Sequence, residues 1–257
     1  MVQEQFAEKI RKIVKEDGSV IGLAVGGSWL THEMDEFSDL DLILVTKEKV
    51  AGDRTRMRHY AGRFGQLLTA FTGEHVGEPR LLICLYDNPL LHVDIKFLTI
   101  DELDARIETP AILHDTDGQL QLKMGQSEPR FPYPDYQWIE DRFWVWIHYT
   151  LLKIGRGEYF ETLDSLAYLR KMIFGPLLHI RNGNLPKAVR KVETMISPGD
   201  LGQLRSLLAE DNKGSLLKAV NNAATLYSDL RKELFGKEII LHEATRERVM
   251  KLLQEMV

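Results

Sequence analysis

The sequence predicts an α/β domain on a mixed sheet over residues 1–130, followed by an all-α helical bundle over residues 131–257. Three observations carry this. Short apolar runs bounded by turn residues alternate with amphipathic stretches in the first half. Pro129, Pro132 and Pro134 then interrupt the pattern as an extended linker. Beyond Pro134 only helical periodicity remains.

In chain order, Gln3 to Lys15 fits an amphipathic helix with Phe6, Ile10, Ile13 and Val14 on one side, stopped by Asp17-Gly18. Val20 to Val25 reads as a buried strand. The turn Gly26-Gly27-Ser28 follows, with a helix expected after it. Leu40 to Val45 reads as a second strand, and Val50 to Phe71 as a helix despite Gly52, Gly62 and Gly65. Arg80 to Tyr86 and Leu91 to Thr99 are two further strands, joined by the turn Asp87-Asn88-Pro89. Ala111 to His114 is a last strand, with a hairpin turn over Asp115-Thr116-Asp117-Gly118. In the second half, helical stretches run from Asp135 to Ile154, from Glu158 to Ile180, and in shorter pieces to Val257. The breaks fall at Gly155-Arg156-Gly157, Asn182-Gly183-Asn184, Ser197-Pro198-Gly199 and Phe235-Gly236.

Composition narrows the function classes. With 44% hydrophobic and 28% charged residues and no apolar run long enough to span a bilayer, the chain is expected to be cytoplasmic, without a membrane partner. The single cysteine, Cys84, lies in the apolar run LLICLY and reads as a buried strand residue. The eight histidines show no pair at ligand spacing. A net charge of −5 argues against a nucleic-acid partner, whose phosphates call for a basic surface, and favours a small molecule.

The chemistry concentrates in VGGSWLTHEMDEFSDLDLILV, residues 25–45. At Gly26-Gly27-Ser28 the missing side chains let backbone N–H groups approach an anion, and Ser28 adds a hydroxyl. Asp39 and Asp41 sit two apart at a strand start, so both project to one face while Leu40 and Leu42 enter the core. Adjacent ionised carboxylates repel, and their natural use is to hold divalent cations that prefer hard oxygen ligands. Asp94 interrupts the apolar strand LLHVDIKFLTI, where an acid is costly without a cation or a partner such as His92 or Lys96. If the two strands are neighbours, three carboxylates converge, an arrangement suited to two metal ions about 4 Å apart.

Gly-Ser, a short gap, Asp-hydrophobic-Asp on a strand and one later strand Asp together resemble the DNA polymerase beta-like nucleotidyltransferase superfamily. The α/β domain followed by a helical bundle is similar to the aminoglycoside and lincosamide nucleotidyltransferases. The resemblance implies that residues 1–130 are the catalytic domain and that Gly27 and Ser28 bind nucleotide phosphates. It implies that Asp39 and Asp41 bind metal and that Asp94 completes the site as ligand or base. Ser38 matches a position that is often serine in the superfamily. The implied reaction is Mg²⁺-dependent transfer of a nucleoside monophosphate from ATP or another NTP to a hydroxyl of a small acceptor, with pyrophosphate released. A protein-modifying adenylyltransferase of toxin–antitoxin type and a nucleotide-binding regulatory module without turnover are the alternatives. The class accommodates a homodimer, although no stretch of the sequence marks an interface.

The helix from Asp135 carries Arg142, Trp146, Tyr149 and Lys153 at three- and four-residue steps, with Arg156 next. One reading is a wall of cations and aromatic rings, with Lys153 and Arg156 on the triphosphate. The other is a bundle core with basic residues reaching to solvent. Glu140 is a candidate base from the same helix. The acidic run His32 to Glu36 could attract a cationic acceptor.

Overall fold

In a computed structural model describing residues 1–256, the chain divides into two compact units, Met1–Phe131 and Pro132–Val257. No described helix is long and apolar enough to cross a membrane.

The first unit opens with α1 (Val2–Lys15), whose buried residues Gln3, Phe6, Ala7, Ile10 and Val14 form one stripe. Six strands follow: β1 (Val20–Val25), β2 (Leu40–Thr46), β3 (Gln66–Gly73), β4 (Glu78–Asp87), β5 (Leu91–Leu98) and β6 (Ala111–Asp115). They form one sheet in the order β3-β4-β5-β2-β1-β6. All neighbours are antiparallel except β2 and β5, so the sheet is mixed as expected. Burial alternates along β2 and β5: Leu40, Leu42, Val93 and Ile95 are buried, while Asp41, Ile43, Asp94 and Lys96 are only partly covered. The buried set packs with α1 and α2 (Arg54–Phe64), so the opposite sheet face is left to carry the polar residues.

Two expectations need correction. The helix expected over Val50–Phe71 covers only α2, whose N-terminus is capped by the Asp53 carboxylate accepting from the N–H groups of Thr55 and Arg56. The second part is strand β3. At Gly65 a Cβ would lie 3.2 Å from the rings of Phe6 and Tyr86, so a side chain there would crowd the core. Thr69, Phe71 and Thr72 beyond it favour a pleated surface. The hairpin expected after β6 is instead the entry to α3 (Gln119–Met124): the Asp115 carboxylate accepts from Leu120 and Gln121 N–H, holding the first turn.

The second unit contains α4 (Tyr136–Arg156), α5 (Tyr159–Leu169), α6 (Gly175–Arg181), α7 (Val192–Met195), α8 (Pro198–Arg205), α9 (Lys213–Leu234) and α10 (Glu243–Met256). A π-helical turn, Arg170–Phe174, joins α5 to α6. The core lies between α4 and α9, where Phe143 and Tyr227 stack with ring centroids 3.6 Å apart. Within that apolar core Glu140 is fully buried. Its carboxylate accepts from Tyr227 Oη at 2.6 Å, Arg231 Nη1 at 3.0 Å and the His242 N–H at 2.9 Å. Both of its carboxylate oxygens are thus engaged inside the unit, which makes it a structural acid rather than an available base.

Candidate functional site

Four neighbouring segments of the first unit build the site. β2 and β5 run parallel with Asp41 level with Asp94, and Asp39 lies one step before β2 on the same face as Asp41. The register sets Asp94 level with Asp41, and Asp39 is near enough for its charge to act on Asp94, but the three do not converge on one metal-sized group. Burial raises the Asp94 carboxyl above the usual aspartate range; His92 opposes this, and the Asp39 charge adds to it. His92 Nε2 lies 3.0 Å from Asp94 Oδ1. Lys96 is engaged elsewhere, with Nζ 2.8 Å from Glu78 Oε2, and Arg80 and Lys96 together hold the Glu78 carboxyl down at about 2. The partner of Asp94 is therefore His92.

The Gly-Gly-Ser turn sits against the aspartates. The Gly26 N–H donates to the Asp41 carbonyl at 2.9 Å, continuing the β1–β2 ladder. Gly27 has φ +63°, and a Cβ built there would lie 2.0 Å from Asp41 Oδ2. Only glycine permits this approach. Gly27→Ala is expected to leave the sheet intact but displace the Asp41 carboxylate. Because a misplacement of about 1 Å can cost roughly 100-fold in rate, any catalysis that depends on the Asp41 carboxylate should fall by about that factor. Turnover measured together with an unchanged far-UV circular dichroism spectrum would check it. The helix expected after the turn is only a three-residue 3₁₀ turn, Gly27–Trp29, because Leu30 to Ser38 loops back toward β2. No helix dipole therefore points at the turn, and any anion here relies on individual N–H groups.

Ser38 does not stand open. Its hydroxyl donates to Asp35 Oδ1 at 2.8 Å and accepts from the Asp35 N–H at 3.0 Å, closing the loop ahead of Asp39. That loop is tied to α1 by Gln3, whose Nε2 donates to the carbonyls of Asp35 at 2.9 Å and Ser38 at 2.8 Å. The sequence reading missed Gln3; the available signal was a polar residue on the apolar stripe of α1. It also missed Glu108, whose Oε1 accepts from the Gly27 N–H at 2.8 Å. No local pattern points to Glu108, which reaches the turn from the segment between β5 and β6.

Among the described residues, no three His, Cys, Asp or Glu side chains form a ready-made metal cage. Asp39 and Asp41 nevertheless fit a hard divalent cation of the kind bound by one or two carboxylates together with substrate phosphates.

Lys153 and Arg156 lie in the second unit. Lys153 Nζ is 2.6 Å from Glu158 and 2.9 Å from Glu161, and 5.0 Å from the centre of the Tyr149 ring. Arg156 is mostly exposed, 3.8 Å from Glu158. Arg142 stacks on Trp138, and Trp146 packs against the helical core. Cys84 is buried, and burial pushes its thiol up to about 12, an inert strand residue as expected.

The family described as "Nucleotidyltransferase domain" matches residues 7–108, a span that ends on Glu108 and contains Asp39, Asp41 and Asp94. Among solved structures, the chain is similar to an aminoglycoside 6-adenyltransferase from Bacillus subtilis, with 14% identity, 99% of this chain and 98% of that one covered, and a TM-score of 0.41. It is also similar to a nucleotidyltransferase-like protein from Exiguobacterium sibiricum 255-15, with 12% identity, coverage of 99% and 89%, and a TM-score of 0.35. No curated protein matches the chain. Residues 7–108 of the first unit thus match a nucleotidyltransferase domain, and that span carries Gly27-Ser28, Asp39-Leu40-Asp41 and Asp94 in that order on a mixed sheet.

Proposed function

We propose that this protein is a cytoplasmic, Mg²⁺-dependent nucleotidyltransferase that moves the nucleoside monophosphate of an NTP, ATP first among them, onto a hydroxyl of a small molecule. Aminoglycosides and lincosamides are the acceptors to test first. The observation that carries the reading is the register of β2 and β5, which sets Asp94 level with Asp41 beside the Gly27-Ser28 turn.

In this reading Asp39 and Asp41 would hold the divalent cation, which would supply charge neutralisation on the triphosphate. Gly27 and Ser28 receive phosphate oxygens, with Ser38 keeping the loop before Asp39 closed. Asp94 takes the acceptor's hydroxyl proton on Oδ2 while His92 occupies Oδ1; its raised basicity suits that role. The acceptor oxygen bonds to the α-phosphorus, the α–β phosphoanhydride bond breaks, and pyrophosphate leaves with the electron pair. Positioning and charge neutralisation supply most of the acceleration. Lys153 and Arg156 are the candidate cations of the second unit, Arg156 being the more accessible and Lys153 being held by Glu158 and Glu161.

The test is pyrophosphate release from ATP and MgCl₂ across a panel of aminoglycosides and lincosamides, with Asp39→Asn as control. Release with one acceptor, lost in the control, supports the reaction and names the acceptor class. Metal-dependent ATP binding without release across that panel would overturn these acceptors and favour the regulatory module.

A further inference from the structure

The N–H group of Gly27 is the backbone donor that the proposed nucleotide site needs, and in this structure it is already taken by a carboxylate. Glu108 Oε1 accepts from it at 2.8 Å. The same oxygen lies 2.7 Å from where a Cβ of residue 26 would stand, so the absence of a side chain at Gly26 is what admits the carboxylate. Gly27 in turn touches the Asp41 side chain, so Glu108 sits directly beside the proposed metal and phosphate positions. An acid there adds negative charge to a cluster that already holds Asp39, Asp41 and Asp94. What holds it there is the hydrogen bond from the Gly27 backbone donor.

The segment bearing Glu108 is anchored on both sides. Arg106 donates to Ser127 Oγ at 2.7 Å and to the Met124 carbonyl at 2.7 Å, and its own carbonyl accepts from the Arg130 N–H at 2.9 Å. Pro110 is buried just before β6. Between these anchors Glu108 is only half-buried, and its side chain can rotate away while the backbone stays in place.

We propose that Glu108 is a residue of the nucleotide site that occupies the phosphate seat on the Gly27 N–H until an incoming nucleotide phosphate displaces it, and so sets nucleotide affinity. This rests on the nucleotidyltransferase reading of the same site. A carboxylate and a phosphate oxygen cannot share one N–H donor, and like charges this close repel. Binding is therefore weakened by the fraction of molecules in which the seat is filled.

The experiment is calorimetric titration of the full chain with ATP and MgCl₂, without acceptor, for wild type, Glu108→Ala and Glu108→Gln. Hydrogen exchange of the Gly27 amide is followed in parallel. Glu108→Ala is expected to bind roughly ten-fold more tightly. Glu108→Gln, which keeps a hydrogen-bond acceptor but loses the charge, should fall between it and wild type. In the nucleotide-free state the Gly27 amide should exchange faster in Glu108→Ala than in wild type, and ATP should restore its protection. Unchanged or weaker affinity in both variants, with wild type binding normally, would overturn the role of Glu108 and leave the nucleotide site standing. Absence of metal-dependent ATP binding in wild type and variants alike would overturn both.

Discussion

Asp41→Asn is expected to reduce nucleotidyl transfer by about 1,000-fold or more, the scale of a lost group that stabilises charge in a phosphoryl-transfer site. The substitution keeps size and shape, so β2 should stay paired with β1 and β5 through its backbone. What changes is charge. Asp41 stands against Gly27, level with Asp94 and beside Asp39, where loss of one negative charge weakens any divalent cation held there. The side chain keeps its shape and its backbone pairing, so the unloaded domain should keep its fold. Pyrophosphate release read alongside thermal unfolding separates these effects. Activity falls while the unfolding midpoint holds. A variant that transfers at wild-type rate would remove Asp41 from the site.

Glu140→Ala should produce the largest loss of stability, about 3–5 kcal/mol, as expected when one partner of a buried ion pair is removed. Arg231 would keep its charge in the core with a single remaining carboxylate, Glu243, 2.7 Å from Nη2. The Tyr227 hydroxyl and the His242 N–H would lose their acceptor as well. The effect belongs to the second unit, because every partner of Glu140 lies there. Urea unfolding followed by tryptophan fluorescence reads it, since all four tryptophans except Trp29 lie beyond Pro132. A loss below about 1 kcal/mol, the scale of an exposed pair, would show that the network is solvated.

Much of this was legible in the residues, and for a physical reason. Period-two alternation in LDLILV and HVDIKF marks strands with one buried face, so Asp39, Asp41 and Asp94 could be assigned to the other face before any contact was known. What sequence order could not supply was adjacency. That β2 pairs with β5, and in parallel, follows from sheet topology. The stretch Gln66 to Phe71 was misread because Leu67, Leu68, Ala70 and Phe71 satisfy a helical spacing as readily as a strand, and the close packing of Gly65 against Phe6 and Tyr86 is a tertiary contact that no local pattern shows. Gln3 and Glu108 escaped notice because each acts through one or two long-range hydrogen bonds to backbone groups, which leave no periodic trace. Lys153 illustrates the reverse case: its helical spacing was visible, but the carboxylates of Glu158 and Glu161 that hold it come from beyond the helix end.

The parallel pairing of β2 with β5 also bears on how the domain assembles. β3, β4 and β5 form a meander of sequential neighbours, which closes through short loops. β2 meets that meander only along its edge with β5, after the whole intervening chain has been gathered in. The acids lie along this seam, Asp39 and Asp41 on one side and Asp94 on the other. A meander shifted by one residue against β2 would turn Asp94 inward and bring Val93 or Ile95 to the surface. The seam therefore closes in one register or fails to pack, and correct closure of the sheet and assembly of the acids become a single event.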